Sequence, residues 1–216
     1  MYILIRDNHA VRVKTGGEMF KYPHKYKLPN GEELTIDLLK SDQYKEYFDF
    51  LNRLTDDDKL YLKYDVTNIG FVEERVKAID RGNRISIVAW NSKNRIVGSS
   101  TLYWTNFGWK SHIGKLRIIV DPNYRKLGLS KYLAQLIFFK TQEIRSIDLV
   151  EAEVMEEQKA AIHILESLGF KKAATLPNYI VDTKGKKHNL IIMVADLEEL
   201  IDRFENMVWD EEFKGG

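Results

Sequence analysis

The spacing of apolar and polar residues changes period several times along this chain. Two short alternating pieces, Tyr2 to Arg6 and Val11 to Lys14, are joined by Asp7-Asn8-His9-Ala10, which predicts a small hairpin. Pro23, Pro29, Asn30 and Gly31 mark a loop, so residues 1–31 read as an N-terminal extension packed on the main domain. Leu34 to Leu39 reads as a strand. Ser41 is placed to cap a helix with Tyr44, Tyr47, Phe48, Leu51 and Leu54 on one face, and a second helix covers Asn68 to Asp80. Arg84 to Trp90 and Arg95 to Thr105, rich in β-branched residues, flank Asn91-Ser92-Lys93-Asn94 as a hairpin. Trp109 to Val120 continues the sheet.

Helical spacing returns from Gly128 to Gln142, with Leu129, Tyr132, Leu133, Leu136 and Ile137 on one face. Ile147 to Met155 is a strand. A short helix then turns Ala161, Ile164, Leu165 and Leu168 inward and stops at Gly169, where glycine takes the left-handed conformation without strain. Strands near Phe170 to Thr175 and Asn189 to Ala195 come next. A C-terminal helix, Leu197 to Trp209, places Leu200, Ile201, Phe204 and Val208 inside. The expected architecture is a mixed α/β domain over residues 32–196, largely antiparallel at first with a strand-helix-strand crossover after Val120, and a helix and tail over 197–216.

Composition narrows the classes of function. A chain of 216 residues, 44% apolar, fills one core more readily than two. Thirty-three basic and thirty-two acidic residues leave a formal charge of +1, so no global field draws nucleic acid or an anionic membrane. Only Lys184-Gly185-Lys186-Lys187 clusters basic charge, and neither nucleic acid nor membrane is an expected partner. Without cysteine there is no disulfide framework, thiolate nucleophile or cysteine-based zinc site. The five histidines lack metal-ligand spacing, so no metal is expected. Met1 to Arg12 is too charged for a signal peptide, and no apolar run approaches the roughly 20 residues of a membrane span. The expected location is the cytoplasm.

An anionic ligand must therefore be met by a local device, and one stretch offers it. In Ile118-Ile119-Val120-Asp121-Pro122-Asn123-Tyr124-Arg125-Lys126-Leu127-Gly128-Leu129-Ser130, a strand ends, a tight loop carries two cations, and a helix begins at a glycine. Backbone N–H groups without intrahelical partners, together with the helix dipole, favour a pyrophosphate there. Taken alone, this is also what an ordinary strand-to-helix turn looks like. A second segment lies at a set distance downstream: Glu151-Ala152-Glu153-Val154-Met155, then Gln158-Lys159-Ala160-Ala161-Ile162, then Glu166-Ser167-Leu168-Gly169-Phe170.

Together the two segments resemble the GNAT (general N-acetyltransferase) superfamily, strongly over Ile113 to Thr175 and by element order over Leu34 to Leu197. The resemblance implies the GNAT fold and transfer of an acyl group from acetyl-CoA to an amine. It implies that Ile118, Ile119 and Val120 pair with the pantetheine arm, and that Arg125, Lys126, Leu127, Gly128, Leu129 and Ser130 bind the pyrophosphate. Gln158 stands where many members carry an asparagine that contacts the cofactor arm. Ser130 replaces the usual glycine or alanine, and Leu165 replaces a tyrosine that serves as general acid in many members. A non-catalytic acyl-CoA-binding module is the alternative that Leu165 supports.

The same resemblance, to the ribosomal-protein N-acetyltransferases of this superfamily, implies Glu153 as general base, with Glu151 as partner or substitute. Lys115 stands where other members carry an acid. His112 is an alternative base and His163 a surface residue. With Leu165 unable to donate a proton, the thiolate is left to water or to Tyr103, Tyr124 or Tyr132, while the backbone N–H of Val120 is placed to meet the oxyanion. Trp90, Tyr103, Trp104, Phe107 and Trp109 fit either an aromatic acceptor mouth or, more in keeping with paired strands, core and edge packing. Tyr179, Asp182 and His188 lie in a polar segment, Pro177 to His188, that reads as a closing loop or a hairpin turn. A homodimer through the C-terminal helix and N-terminal hairpin is one arrangement, the alternative being that both pack on their own domain.

Overall fold

The computed structural model describes residues 3–6, 9–12, 21–62, 64–144, 146–182 and 184–213, with side chains described except at 3–6, 9–12 and 206–213. A two-stranded ribbon pairs β1 (Ile3–Arg6) with β2 (His9–Arg12), so the expected N-terminal hairpin forms with its strands closer together. A single eight-stranded sheet holds the rest: β3 (His24–Lys27), β4 (Glu33–Leu38), β5 (Arg84–Trp90), β6 (Ile96–Tyr103), β7 (Ile113–Val120), β8 (Leu149–Met155), β9 (Lys171–Val181) and β10 (Lys187–Asp196). Their spatial order is β3-β4-β5-β6-β7-β8-β10-β9. Every neighbouring pair is antiparallel except β7 and β8.

Three helices come between β4 and β5: α1 (Tyr44–Asn52), α2 (Asp56–Leu60) and α3 (Ile69–Lys77). A 3₁₀ turn over Ser41–Gln43 precedes α1, and Gln43 Oε1 accepts from the Lys40 N–H, so Ser41 is not the cap. α1 buries Tyr47, Phe50 and Leu51, and α3 buries Val72 and Val76, against Val88 and Ile96 of the sheet. Asn68 caps α3 as its side chain suggests, accepting from Gly70 N–H at 2.9 Å.

The other face is covered by α4 (Leu129–Thr141), α5 (Lys159–Leu168) and α6 (Leu197–Phe213). Leu133, Leu136, Ile137 and Phe138 of α4 pack with Val120, Val150 and Val154 of the strands. The Phe138 ring lies 6.2 Å from Phe170 and 6.0 Å from Phe204 between centroids. Leu200, Ile201 and Phe204 thus bury the first turns of α6 in their own domain. Val208 lies outside the described side chains. Gly169, at φ 112°, ends α5 in the expected left-handed cap, with the Phe170 N–H returning to Leu165 O at 3.0 Å.

Three expectations change. The loop around Pro23 to Gly31 contains β3, which alternates half-buried His24 and Tyr26 with exposed Lys25 and Lys27 as an edge strand does. The strand placed at Trp109 begins at Ile113, leaving Phe107 and Trp109 88% and 98% exposed on a loop, neither core nor edge cover. Pro177 to His188 is mostly strand, with a turn in which Asp182 Oδ1 accepts from the N–H groups of Lys184 and Lys186. Thr183 lies outside the described residues.

Candidate active site

The parallel ladder between β7 and β8 joins only Ile113–Lys115 to Leu149–Glu151, although β7 runs on to Val120 and β8 to Met155. Beyond Lys115 the strands part. The Asp121 N–H donates to Val97 O on β6 at 2.9 Å, which fixes the alternation behind it: Val120 and Ile118 turn their N–H and C=O groups to the gap, and Ile119 turns to β6 opposite Ser99. On the other bank Gln158 closes the last position of β8. Its Oε1 accepts from Met155 N–H and its own N–H donates to Met155 O, both at 2.9 Å.

The loop leaving β7 is held from within. Buried Asp121 accepts from Asn123 N–H at 3.0 Å and Nδ2 at 3.1 Å, shaping the 3₁₀ turn Pro122–Tyr124. Arg125 folds back: its Nε donates to Val120 O at 3.2 Å and its Nη2 pairs with Asp58 Oδ1 at 2.7 Å. Burial would raise the Asp58 carboxyl, but hydrogen bonds from Thr55 and Arg125 hold it below its ordinary range. Sequence reasoning missed Asp58 and α2 altogether. Their signal was the capping box Thr55-Asp56-Asp57-Asp58, in which Thr55 Oγ1 accepts from Asp58 N–H at 3.1 Å.

Lys126 and Gly128 then adopt φ of 61° and 78°. A Cβ at Gly128 would meet no atom within 4 Å, so the backbone is open there, and the positive φ itself favours glycine. The first hydrogen bond into α4 runs from Tyr132 N–H to Gly128 O at 3.1 Å, so the N–H groups of Leu129, Ser130 and Lys131 have no intrahelical acceptor. The thirteen-residue helix adds its positive end to the same place. Leu129 is buried, whereas Leu127 and Ser130 are half-buried at the mouth.

On the face toward α1 and α3, Lys115 Nζ lies 2.9 Å from Glu153 Oε1 and 3.0 Å from Glu151 Oε1. Glu151 is almost fully buried and Glu153 partly so. Burial would lower the lysine, yet the bonds from Glu153 and Glu151 outweigh it and hold the ammonium well above the ordinary lysine range. Lys115 therefore remains a cation and is no base. The structure brings Glu153 to the edge of the gap, as expected, but with a lysine beside its carboxylate.

The proton donors sort by position. Tyr132 is pushed up to about 12 by burial and Tyr26, and its hydroxyl meets His24 Nε2 at 2.8 Å beside β3. The Tyr124 hydroxyl donates to Glu32 Oε1 at 2.8 Å. Of the three tyrosines, only Tyr103 shares the face of the glutamates, opposite Lys115 in the ladder. Leu165 is buried in the core. His112 is exposed before β7, at the end where the strands are still paired, and its carbonyl accepts from the N–H groups of Asp148 and Leu149. His163 is exposed on α5. His188 bridges Asp182 Oδ2 and Glu157 Oε1 at 3.0 Å each, while Tyr179 is exposed.

This arrangement has counterparts among known proteins. Residues 37–170 match the model of the acetyltransferase (GNAT) family. The alanine N-acetyltransferase of ribosomal protein bS18 from Escherichia coli K12 is 33% identical over 75 residues, which is 35% of this chain and 50% of that protein. The chain thus spans about half the length of the curated relatives it matches. Among solved structures, the ribosomal-protein-S5-alanine acetyltransferase of Vibrio fischeri superposes with a TM-score of 0.67 at 13% identity, covering 82% of this chain and 98% of that one. The yncA protein of Salmonella typhimurium, solved with its cofactor acetyl-CoA, gives 0.65 at 16% identity, covering 76% and 94%. At such identities these likenesses speak to the fold.

Proposed function

The chain belongs to the acetyltransferase (GNAT) family, and from that premise we propose that it transfers an acetyl group from acetyl-CoA to a primary amine. The observation that carries this reading is the gap between β7 and β8, which opens onto the N-terminus of α4. Acetyl-CoA supplies an electrophilic thioester carbonyl and a thiolate that can leave. The residues present fit it. Ile118 and Val120 offer backbone groups to an amide-bearing arm as a strand would, whereas Ile119, between them on β7, turns its own to β6. Lys126, Leu127, Gly128, Leu129 and Ser130 offer N–H groups and one cation to a pyrophosphate. Arg125 reaches that anion only by leaving Asp58, so ligand binding and the α2 contact compete for one guanidinium. Gln158 retains its amide N–H₂ as a donor to the arm, its oxygen being held by Met155.

Glu153 takes the amine proton, with Lys115 and Glu151 fixing its position; the Val120 N–H meets the oxyanion. The thiolate takes its proton from water or Tyr103. A second reading, an acyl-CoA-binding module without turnover, rests on buried Leu165 in place of an acid. Release of free CoA in the presence of an amine panel separates the two. Acetyl-CoA should raise the melting temperature, because a ligand that binds only the native state stabilises it by mass action. No shift at millimolar CoA overturns both readings.

A further inference from the structure

Beside the Lys115-Glu151-Glu153 group lie three arginines that the acetyl transfer itself does not use. The Arg75 guanidinium stands 4.0 Å from the centroid of the Tyr64 ring and that of Arg117 5.3 Å from the same ring. The Arg84 guanidinium lies 5.1 Å from the Tyr103 ring. The ladders place them together: Arg84 is opposite Tyr103, Tyr103 opposite Lys115, and Arg117 two residues further along the same face of β7. Arg75 reaches them from α3, on the helical layer that covers this face. All three side chains are partly buried.

Elsewhere in the molecule, half-buried cations find carboxylates, as Lys59 and Lys140 do. Here none does. Among the described residues, Arg75, Arg84 and Arg117 make neither an ion pair nor a side-chain hydrogen bond, and the Nε of Arg84 is buried without an acceptor. A guanidinium carries five N–H donors in a fixed fork, and leaving them desolvated and unpaired is costly. Burial depresses Arg84 and Arg75 adds repulsion, while the tyrosine rings soften the charge without supplying an acceptor. Among the described residues the face sets four cations, Arg75, Arg84, Lys115 and Arg117, against the carboxylates of Glu151 and Glu153, both of which are engaged with Lys115.

Given that acetyl transfer takes place at the gap, we infer that the acceptor is an amine bearing its own anionic group, a carboxylate or a phosphate ester, which Arg75, Arg84 and Arg117 bind while the amine meets Glu153. Spacing constrains the molecule further. The amine meets Glu153 on β8; Arg117 stands level with it across the gap, whereas Arg84, towards which the anion is drawn, lies two strands beyond Lys115, roughly 10 Å across. Amine and anion are therefore separated by several bonds, as in an ω-amino acid or a short peptide with an acidic side chain or C-terminus. An α-amino acid, whose two groups adjoin, does not span the distance.

The test uses the full chain saturated with CoA, which cannot react, and reads the further rise in melting temperature with each member of a series. The series comprises the linear ω-amino acids from glycine to 6-aminohexanoate, their carboxamides, and the ω-aminoalkyl phosphates. The acids or phosphates of intermediate length should stabilise the protein, glycine and the amides should not, and comparing the two anion arms tells carboxylate from phosphate. With acetyl-CoA, kcat/KM for an acid should exceed that of its amide at least tenfold. Arg75→Gln and Arg117→Gln should bring that ratio towards one, and Arg117→Lys should restore part of it, with the CoA shift of each variant showing that it is folded. Acids and amides behaving alike, no member of the series acting, or a ratio that survives both arginine changes would overturn the inference. Failure of CoA itself to shift the wild type would instead sink the acetyltransferase reading on which the inference rests.

Discussion

Toward α4 and α6 the central strands present Leu116, Val120, Val150, Ala152 and Val154, which join a large aliphatic and aromatic core. Toward α1 and α3 neighbouring positions of the same strands present Lys115, Arg117, Glu151 and Glu153, with Arg84 and Tyr103 beside them. One face holds the fold together, and the cofactor site proposed on its border is made largely of backbone: two strand edges and the first N–H groups of a helix. The other face is covered by its helices only in part, and its chemistry is carried by side chains. The difference teaches that, on the proposed assignments, binding the cofactor and choosing the acceptor are separable, since they draw on different parts of the same strands.

The sharpest attack on the comparison is Glu153→Gln, which changes the polar face without altering its shape. It should lower kcat/KM roughly 10²- to 10⁴-fold, the range of a positioned general base, and leave the acetyl-CoA melting shift intact. Steady-state rates with an accepted amine decide it: full activity at every pH would mean that Glu153 does no proton work. Phe138→Ala tests the apolar face. Losing a ring packed between Phe170 and Phe204 should cost about 3–5 kcal/mol of stability by chemical denaturation, well above the effect of Arg117→Gln on the other side. A smaller loss would show that the aromatic stack is not central to the core.

Gly128→Val probes the border between them. Valine at φ 78° is strained and projects into the ligand's space, so the cofactor-dependent stabilisation should vanish, a loss of about 2.7 kcal/mol at a hundredfold excess over Kd. Retained binding, read by calorimetry, would move the pyrophosphate away from this loop. The smallest effect belongs to His188. Its pKa is raised above 6.5 by hydrogen bonds to Asp182 and Glu157, whose own carboxyls are lowered. Its contribution is thus present below 6.5, is lost as pH rises through the raised histidine value, and is lost again in acid as the carboxyls protonate. The melting temperatures of wild type and His188→Gln should differ most in mildly acidic buffer and converge at alkaline pH.

How much of this the chain spelled out tracks the same division. The strand-loop-helix proposed for the pyrophosphate was legible because it depends on local signals: a strand end, Asp-Pro, a glycine and helical spacing lie within thirteen residues, Ile118 to Ser130. The Gly169 cap and the α4 face were legible for the same reason. β3 was not, because His24-Lys25-Tyr26-Lys27 carries little apolar alternation and owes its place to β4 across the Pro29-Asn30-Gly31 turn. Nor was the arginine group, assembled from a helix and two strands up to 42 residues apart, Arg75 to Arg117. Its trace in the sequence was charge at alternate positions inside apolar strands, Arg84 before Ile85 and Lys115-Leu116-Arg117, which periodicity alone assigns to solvent.

The three-residue ladder between β7 and β8 also makes the sheet two panels along a seam, β3 to β7 on one side and β8, β10 and β9 on the other. Each panel is internally antiparallel, α4 lies on β5, β6 and β7 of the first, and Asp148 anchors the first residue of α6 through its carbonyl. A ligand that lies in the gap as an extra strand acts as a splice, converting two panels that open independently into one cooperative unit. Amide hydrogen exchange would register this as protection gained on both banks at once, far beyond the few groups the ligand touches.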